Sequence, residues 1–246
     1  MGSVLAPFTA RASSRPGVHT VRFPVLALIL LAFGFAVSTA EAQTSRNESY
    51  VDPDLDMQRM LDRLERETRE VYALRDAIVD ATNIQAGDVI ADIGAGTGAF
   101  LDELVAAVGD AGHVYTCEVS IRFVERLREV ADERGYDNVT SVFSSFTSAT
   151  LPTASVDRII TIDTYHHFDD HAAMLASMLD ALRPGGEMLV VDFDRVEGRS
   201  REWILGHVRA SKQQFRREIE AAGFEFVEEV EIDGMVDNFV HRYRRP

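Results

Sequence analysis

Apolar positions along this chain change period partway through, and the change divides it into an accessory segment and a core. From Asp56 to about Ala81 the residues Met57, Met60, Leu61, Leu64, Val71, Leu74 and Ile78 recur at spacings of three, four and seven, with charges between them. That spacing predicts an amphipathic helix over 56–82, or two in series, packed on the domain C-terminal to it. After Gly87 the pattern becomes short apolar runs alternating with helical stretches. Strands are expected at 88–93, 113–118, 138–143, 156–162 and 186–193, with helices near 98–108, 120–134 and 170–182. Such alternation is the mark of a parallel sheet covered by helices on both faces, and right-handed crossovers then fix most of its topology. A last helix, about 208–222, should end at Gly223. Two further apolar stretches, 224–232 and 235–243, meet at Asp233-Gly234 and predict an antiparallel hairpin that closes the sheet.

The first forty residues read differently. Residues 1–22 hold Arg11, Arg15 and Arg22 and no acid, Phe23 to Val37 is almost wholly apolar, and Ala40-Glu41-Ala42 comes next. A positive region, an apolar region and a small-residue cut site together predict a signal peptide over 1–42, with export to the periplasm or beyond after cleavage. The apolar run falls short of the roughly 18 residues that span a membrane, so contact with the membrane would be transient. An uncleaved anchor and a cytoplasmic form starting at Met57 are the alternatives. Residues 43–55 are polar and contain Pro53, which reads as a linker. The domain proper is expected over 83–246.

Charge narrows the partners. With 25 Lys and Arg against 40 Asp and Glu, the formal net charge is −15, and basic residues cluster only at Arg242, Arg244 and Arg245. A phosphate-binding surface is therefore not expected, and nucleic acid is not a candidate partner. The single cysteine, Cys117, excludes an internal disulfide. Nothing in the sequence specifies an oligomeric state.

Candidate chemistry begins at Val89-Ile90-Ala91-Asp92-Ile93-Gly94-Ala95-Gly96-Thr97-Gly98-Ala99-Phe100. A buried strand here enters a glycine turn and then a helix, an arrangement that lets the backbone come close to a ligand at the helix N-terminus. Gly94, Gly96 and Ala99 alone would also satisfy a dinucleotide fingerprint. Asp92, two residues before the first glycine, and Gly98 favour another ligand.

With those two residues the stretch reads D-x-G-x-G-x-G and resembles motif I of the class I S-adenosylmethionine-dependent methyltransferases. The resemblance extends to Glu118 at the end of the second strand, where the family places the acid that accepts both ribose hydroxyls. It extends further to Leu182-Arg183-Pro184-Gly185-Gly186, which looks like the family's turn into strand five, and to the terminal hairpin. It covers about residues 70–243. It implies an α/β fold, a Rossmann-like doubly wound seven-stranded mostly parallel sheet with a C-terminal antiparallel hairpin, and S-adenosylmethionine as cofactor. Asp92, Gly94, Gly96, Gly98 and Glu118 would then bind that cofactor, the acids facing its ammonium and its hydroxyls. An Asp after strand three commonly meets the adenine in this family; here that place falls near Ser145, with Phe146 beside it.

Asp163-Thr164-Tyr165-His166-His167-Phe168-Asp169-Asp170-His171 comes after strand four. Ligands of open α/β sheets lie outside the carboxyl ends of strands, so Asp163 is expected against the cofactor and His166 or His167 near the reacting methyl. A histidine is suited to take a proton from a hydroxyl or amine acceptor; packing against the cofactor is the plainer role. A metal held by His167, His171 and the neighbouring acids is the weaker reading, since Asp169 and Asp170 suit a helix start, and no resident metal is expected. On the amphipathic helix, Arg75 is a candidate clamp for the cofactor's carboxylate, or else the partner of a nearby acid. Asp192, Asp194 and Arg195 follow strand five and should line the acceptor side; Trp203 and His207 lie in the next segment, where the resemblance implies a substrate wall, with a core position the commoner role for Trp203.

With nearly the whole chain spent on the core domain, the acceptor is expected to be a small molecule, methylated by in-line displacement. The rival is an exported protein that keeps the cofactor fold for binding or interaction without turnover, because fold alone does not establish function.

Overall fold

The computed structural model describes Gly2 and residues 47–246. The signal segment expected over 1–42 and the first residues of the expected linker lie outside the described residues. All the described elements fall within the unit Ala40–Pro246, and among the described residues no helix is long and apolar enough to cross a membrane.

The elements run α1 (residues 47–51), α2 (Met57–Leu64), α3 (Glu70–Ala73), α4 (Arg75–Asp80), β1 (Val89–Ile93), α5 (Leu101–Val108), β2 (His113–Glu118), α6 (Ile121–Arg134), β3 (Val139–Phe143), β4 (Val156–Ile162), a 3-10 turn (Tyr165–His167), α7 (His171–Ala181), β5 (Leu182–Phe193), α8 (Glu202–His207), α9 (Lys212–Ala221), β6 (Glu225–Glu229) and β7 (Asn238–Arg244). The seven strands form one sheet in the order β3-β2-β1-β4-β5-β7-β6. β1 to β5 are parallel, and β7 is antiparallel to both β5 and β6. The order reverses between β1 and β4, which opens a crevice at their carboxyl ends, the usual ligand position in such sheets.

Side-chain alternation places the core on both faces. Along β5, Met188 and Val190 join Met174, Leu175 and Met178 of α7 and Phe215 and Ile219 of α9. Leu189 and Val191 join Ile78 of α4, Leu101 and Leu104 of α5, and Val240 of β7 on the other face. A one-residue slip would exchange the two sets, so this doubly buried strand fixes the register of the sheet centre.

Three expectations change. The helix over 56–82 is three short helices. The Arg69 guanidinium donates to Leu64 O at the end of α2 and to Asp163, while the Glu70 carboxylate accepts from the backbone N–H groups of Val236, Asp237 and Asn238. These distant contacts replace the continuous ladder that amphipathic spacing alone would favour. The same Glu70 contacts occupy the expected start of the last strand, so the terminal strands are Glu225–Glu229 and Asn238–Arg244, and Asp233-Gly234 lies in a longer connection. The expected linker 43–55 is no linker over its described part: residues 47–51 are helical, and Leu55 packs with Met60 and Phe123 in a small core of its own. The turn at Pro184-Gly185 is present as a register jump between Val156↔Leu182 and Arg158↔Glu187, with Gly185 at φ 78°.

Candidate functional site

β1 delivers Asp92 and Ile93 to the sheet edge, and the chain then turns at Gly94. Gly94 N and Ala95 N donate to Cys117 O, at 2.8 and 3.3 Å, which pins the glycine loop onto the end of β2. Gly94 has φ 80°, and a Cβ there would stand 2.3 Å from the Thr164 side chain. A side chain at this position would both strain the backbone and force apart the β1 and β4 ends.

Glu118, at the end of β2, is folded back on this loop. Its Oε2 accepts from Gly96 N at 3.0 Å and its Oε1 from Val119 N at 2.7 Å. Burial raises the Glu118 carboxyl above the ordinary range, while the three backbone donors, those of Gly96, Val119 and Ser120, work against the shift. Asp92 is buried beside it. Desolvation first, then the Glu118 charge, push the Asp92 carboxyl up to about 7. Two acids held this close, with no cation between them among the described residues, form a receptor for a positively charged or hydroxyl-rich ligand.

A cleft with an open mouth lies above them. Asp92, Gly94, Gly96, Glu118, Asp163 and His167 all line it. Thr97 lines it as well, and its buried hydroxyl has no hydrogen-bond partner among the described residues. The acidic pair, the open loop and that hydroxyl fit a ligand with an ammonium and several hydroxyls, as S-adenosylmethionine has.

Four expected residues stand elsewhere. Gly98 turns away, and a Cβ on it would meet Leu127 of α6 at 3.1 Å, so this glycine serves helix packing. Ser145 is exposed and its hydroxyl meets Thr147 Oγ1; its neighbours Ser144 and Phe146 line the cleft instead. Arg75 is held outside by Glu103 at 2.9 Å and by Tyr72 O at 2.8 Å, beside Glu67. It is the acid-paired arginine of the two alternatives. Among the described residues, the cation that does line the cleft is Arg69, whose Nη2 lies 2.8 Å from Asp163 Oδ2. Burial raises the Asp163 carboxyl and Arg69 counters that rise. Asp163 itself adopts φ 49°.

The fourth is His166, which lies beneath the cleft wall, buried. Its Nδ1 is 2.8 Å from Asp192 Oδ1, and its backbone N–H donates to Asp192 Oδ2 at 3.0 Å. His167, next along the 3-10 turn, faces the cleft with Nδ1 2.9 Å from Asn47 Oδ1. The Asn47 amide is oriented by its own donors, since Nδ2 donates to His167 O and to Asp169 Oδ2. Asn47 and Tyr50, from α1, thus complete a wall that sequence pattern assigned to a linker. Asp170 caps α7 by accepting from Ala173 N, and His171 turns toward Glu218, so the pairing of His167 with His171 does not form. Phe168–Asp170 separates them, and no continuous helix carries both.

Comparison with known proteins agrees with this geometry. Residues 90–186 match a family model described as a methyltransferase domain. The chain is 30% identical over 113 residues to a protein-L-isoaspartate O-methyltransferase of Ignicoccus hospitalis, covering 46% of this chain and 51% of that protein. It is 27% identical over 118 residues to the ubiquinone/menaquinone biosynthesis C-methyltransferase UbiE of Hahella chejuensis, covering 48% and 47%. The chain spans about half the length of these relatives. In fold it is similar to a SAM dependent methyltransferase from Aquifex aeolicus, with a TM-score of 0.68 at 20% identity over 78% of this chain and 99% of that one. The [4+2]-cyclase SpnF shares the fold too, with a TM-score of 0.62 at 18% identity over 71% and 80%.

Proposed function

We propose, from the premise that this chain belongs to the class I S-adenosylmethionine-dependent methyltransferase family, that it transfers a methyl group to a small-molecule acceptor. The observation that carries the proposal is the buried Asp92–Glu118 pair under a glycine loop pinned at Gly94, opening on a cleft with a histidine at its other end.

S-adenosylmethionine supplies a methyl carbon bonded to a sulfonium, which an acceptor oxygen, nitrogen or sulfur attacks in line as the carbon–sulfur bond breaks and the sulfur keeps the electron pair. Asp92 would answer the ammonium and Glu118 the ribose hydroxyls, exchanging its loop contacts for theirs. Thr97 offers a further hydroxyl, and Ser144 and Phe146 stand where the adenine would be received.

The remaining end of the cleft, formed by Asp163, Thr164 and His167, is left for the acceptor. Asn47 Oδ1 can only accept, so His167 Nδ1 donates to it and Nε2 carries the lone pair. That lone pair is placed to take the acceptor's proton. His166, turned into the protein and clamped by Asp192, positions the turn that presents His167. The acidic surface of the protein suits a neutral or cationic acceptor and not a polyphosphate.

The test is to incubate the purified protein with isotope-labelled S-adenosylmethionine and a metabolite extract, and to identify labelled products by mass spectrometry. A labelled small molecule that disappears with Asp92→Ala is the expected result. Binding of S-adenosylhomocysteine without any transfer would favour an exported binding protein. Export itself belongs to the proposal: N-terminal sequencing from the native host should read Gln43 as the first residue, and residues 1–42 still attached in a cytosolic fraction would sink that part.

A further inference from the structure

Three histidines, not two, gather where His167 faces the cleft and His166 lies buried behind it. His207, the last residue of α8, brings its ring to 4.9 Å from that of His166 and 5.1 Å from that of His167, while the His166 and His167 rings stand 4.1 Å apart, centre to centre. One ring nitrogen from each of the three lies within 4.8 Å of the others. Imidazoles at this density are the donor set of zinc and its neighbours, which bind neutral histidine nitrogen at about 2.0–2.1 Å.

The surroundings strengthen the case independently of the spacing. Metal-bound histidines usually donate their other N–H to a carboxylate or carbonyl, which fixes the tautomer and raises ligand basicity. His166 Nδ1 has the buried Asp192 carboxylate at 2.8 Å, and His167 Nδ1 has Asn47 Oδ1 at 2.9 Å. Both contacts leave Nε2 as the nitrogen with the lone pair, one on each ring. Phe193 meets His166 and Tyr50 meets His167 edge to face, and the Trp203 ring lies tilted 6.3 Å from that of His207, aromatic neighbours that lower the local dielectric around the donors.

We infer that His166, His167 and His207 bind one divalent transition-metal ion, zinc or cobalt, as a three-histidine site at the acceptor end of the cleft. Three protein ligands leave a fourth position, as catalytic zinc sites do. A tetrahedral ion with bonds of about 2.0–2.1 Å sets its nitrogens roughly 3.4 Å apart, so small side-chain rotations that close the present separations of up to 4.8 Å by about 1.4 Å complete the site. The inference stands on these three residues and their partners and does not require methyl transfer. Where both hold, the ion would take the His167 lone pair and lower the pKa of an acceptor O–H or S–H at the fourth position, whose proton would pass to solvent water, so that His167 would serve as a ligand and not as the base.

The test reads binding directly. The metal-stripped protein is loaded with zinc, passed through gel filtration and assayed for metal by mass spectrometry; about one ion per chain is expected. Cobalt loading should give the visible absorption of a four-coordinate site, and X-ray absorption at the zinc edge should show three imidazoles. His207→Gln should weaken binding more than a hundredfold, and Asp192→Asn or Asn47→Ala by about 10–100-fold, the usual range for the groups that orient metal ligands. Circular dichroism and the thermal unfolding midpoint, measured on the same samples, report that each variant is folded. No retained zinc in the wild type, an edge spectrum with fewer than two imidazoles, or unchanged affinity in His207→Gln would each overturn the site.

Discussion

Arg69 and Asp163, distant in sequence, form a 2.8 Å ion pair within the cleft wall, with the Asp163 side chain only 4% exposed. Asn238 Nδ2 donates to the other Asp163 oxygen. The pair therefore fastens the segment before α3 and the last strand to the end of β4, all at one carboxylate.

Removing one partner strands the other. Arg69→Ala leaves a buried Asp163 with a single neutral donor, and should cost roughly 1–3 kcal/mol in urea unfolding, below the range for fully buried pairs because Arg69 is 22% exposed. Arg69→Ala combined with Asp163→Asn should recover part of the loss. If the double variant is no more stable than Arg69→Ala alone, the pair does not act as a unit.

The Asp92 carboxyl gives cofactor binding a pH dependence. Burial and the Glu118 charge hold it at about 7, and only its ionised form opposes an ammonium. Affinity for S-adenosylhomocysteine, measured by calorimetry, should fall as the pH drops through about 7, approaching tenfold per unit. Asp92→Asn should bind weakly with no such slope.

Folding stability responds to the same group in the opposite sense. Its native value lies above its ordinary value of 3.8, so the folded state holds the proton more tightly. The Asp92 contribution is most favourable below about pH 4 and is lost as the pH rises to about 7. Asp92→Asn should accordingly raise the Tm of the cofactor-free protein at about pH 8. A lower Tm there would show that the burial cost is offset by contacts of the carboxylate.

His167 and Arg75 should separate turnover from binding. Once an acceptor is known, His167→Gln should lower kcat by roughly 10²–10⁴-fold with little change in donor affinity. Arg75→Ala, whose partners Glu103 and Glu67 lie outside the cleft, should leave both donor affinity and kcat within about twofold of wild type, as for a surface pair worth about 0–1 kcal/mol. A large effect of Arg75→Ala on donor binding would return that residue to the site.

The parts legible in the sequence are those whose signal is local. Asp92, Gly94, Gly96 and Glu118 lie at strand ends, where period and turn chemistry place them, and the five parallel strands arise from runs that each read alone. Gly98 was legible as a glycine position but not as a packing one, because its neighbour Leu127 belongs to another helix. Arg69 hid behind Arg75, since both sit on the same amphipathic stretch and only the distant Asp163 distinguishes them. Asn47 and His207 carried no periodic signal. Asn47 takes its role from contacts with the turn after β4, which polar loop composition does not announce, and His207, expected near the acceptor from the resemblance alone, takes its place beside His166 and His167 from α8.

Those two residues bear on how such a protein changes over time. The centre of the sheet supplies the acids and the glycine loop, while Asn47 and His207 arrive from α1 and α8, short elements before and after it in the chain. On the proposed reading, substitutions in these flanks would remake the chemistry presented to an acceptor while leaving Asp92, Glu118 and the glycine loop intact. Divergence in what is modified is thereby uncoupled from divergence in what modifies it.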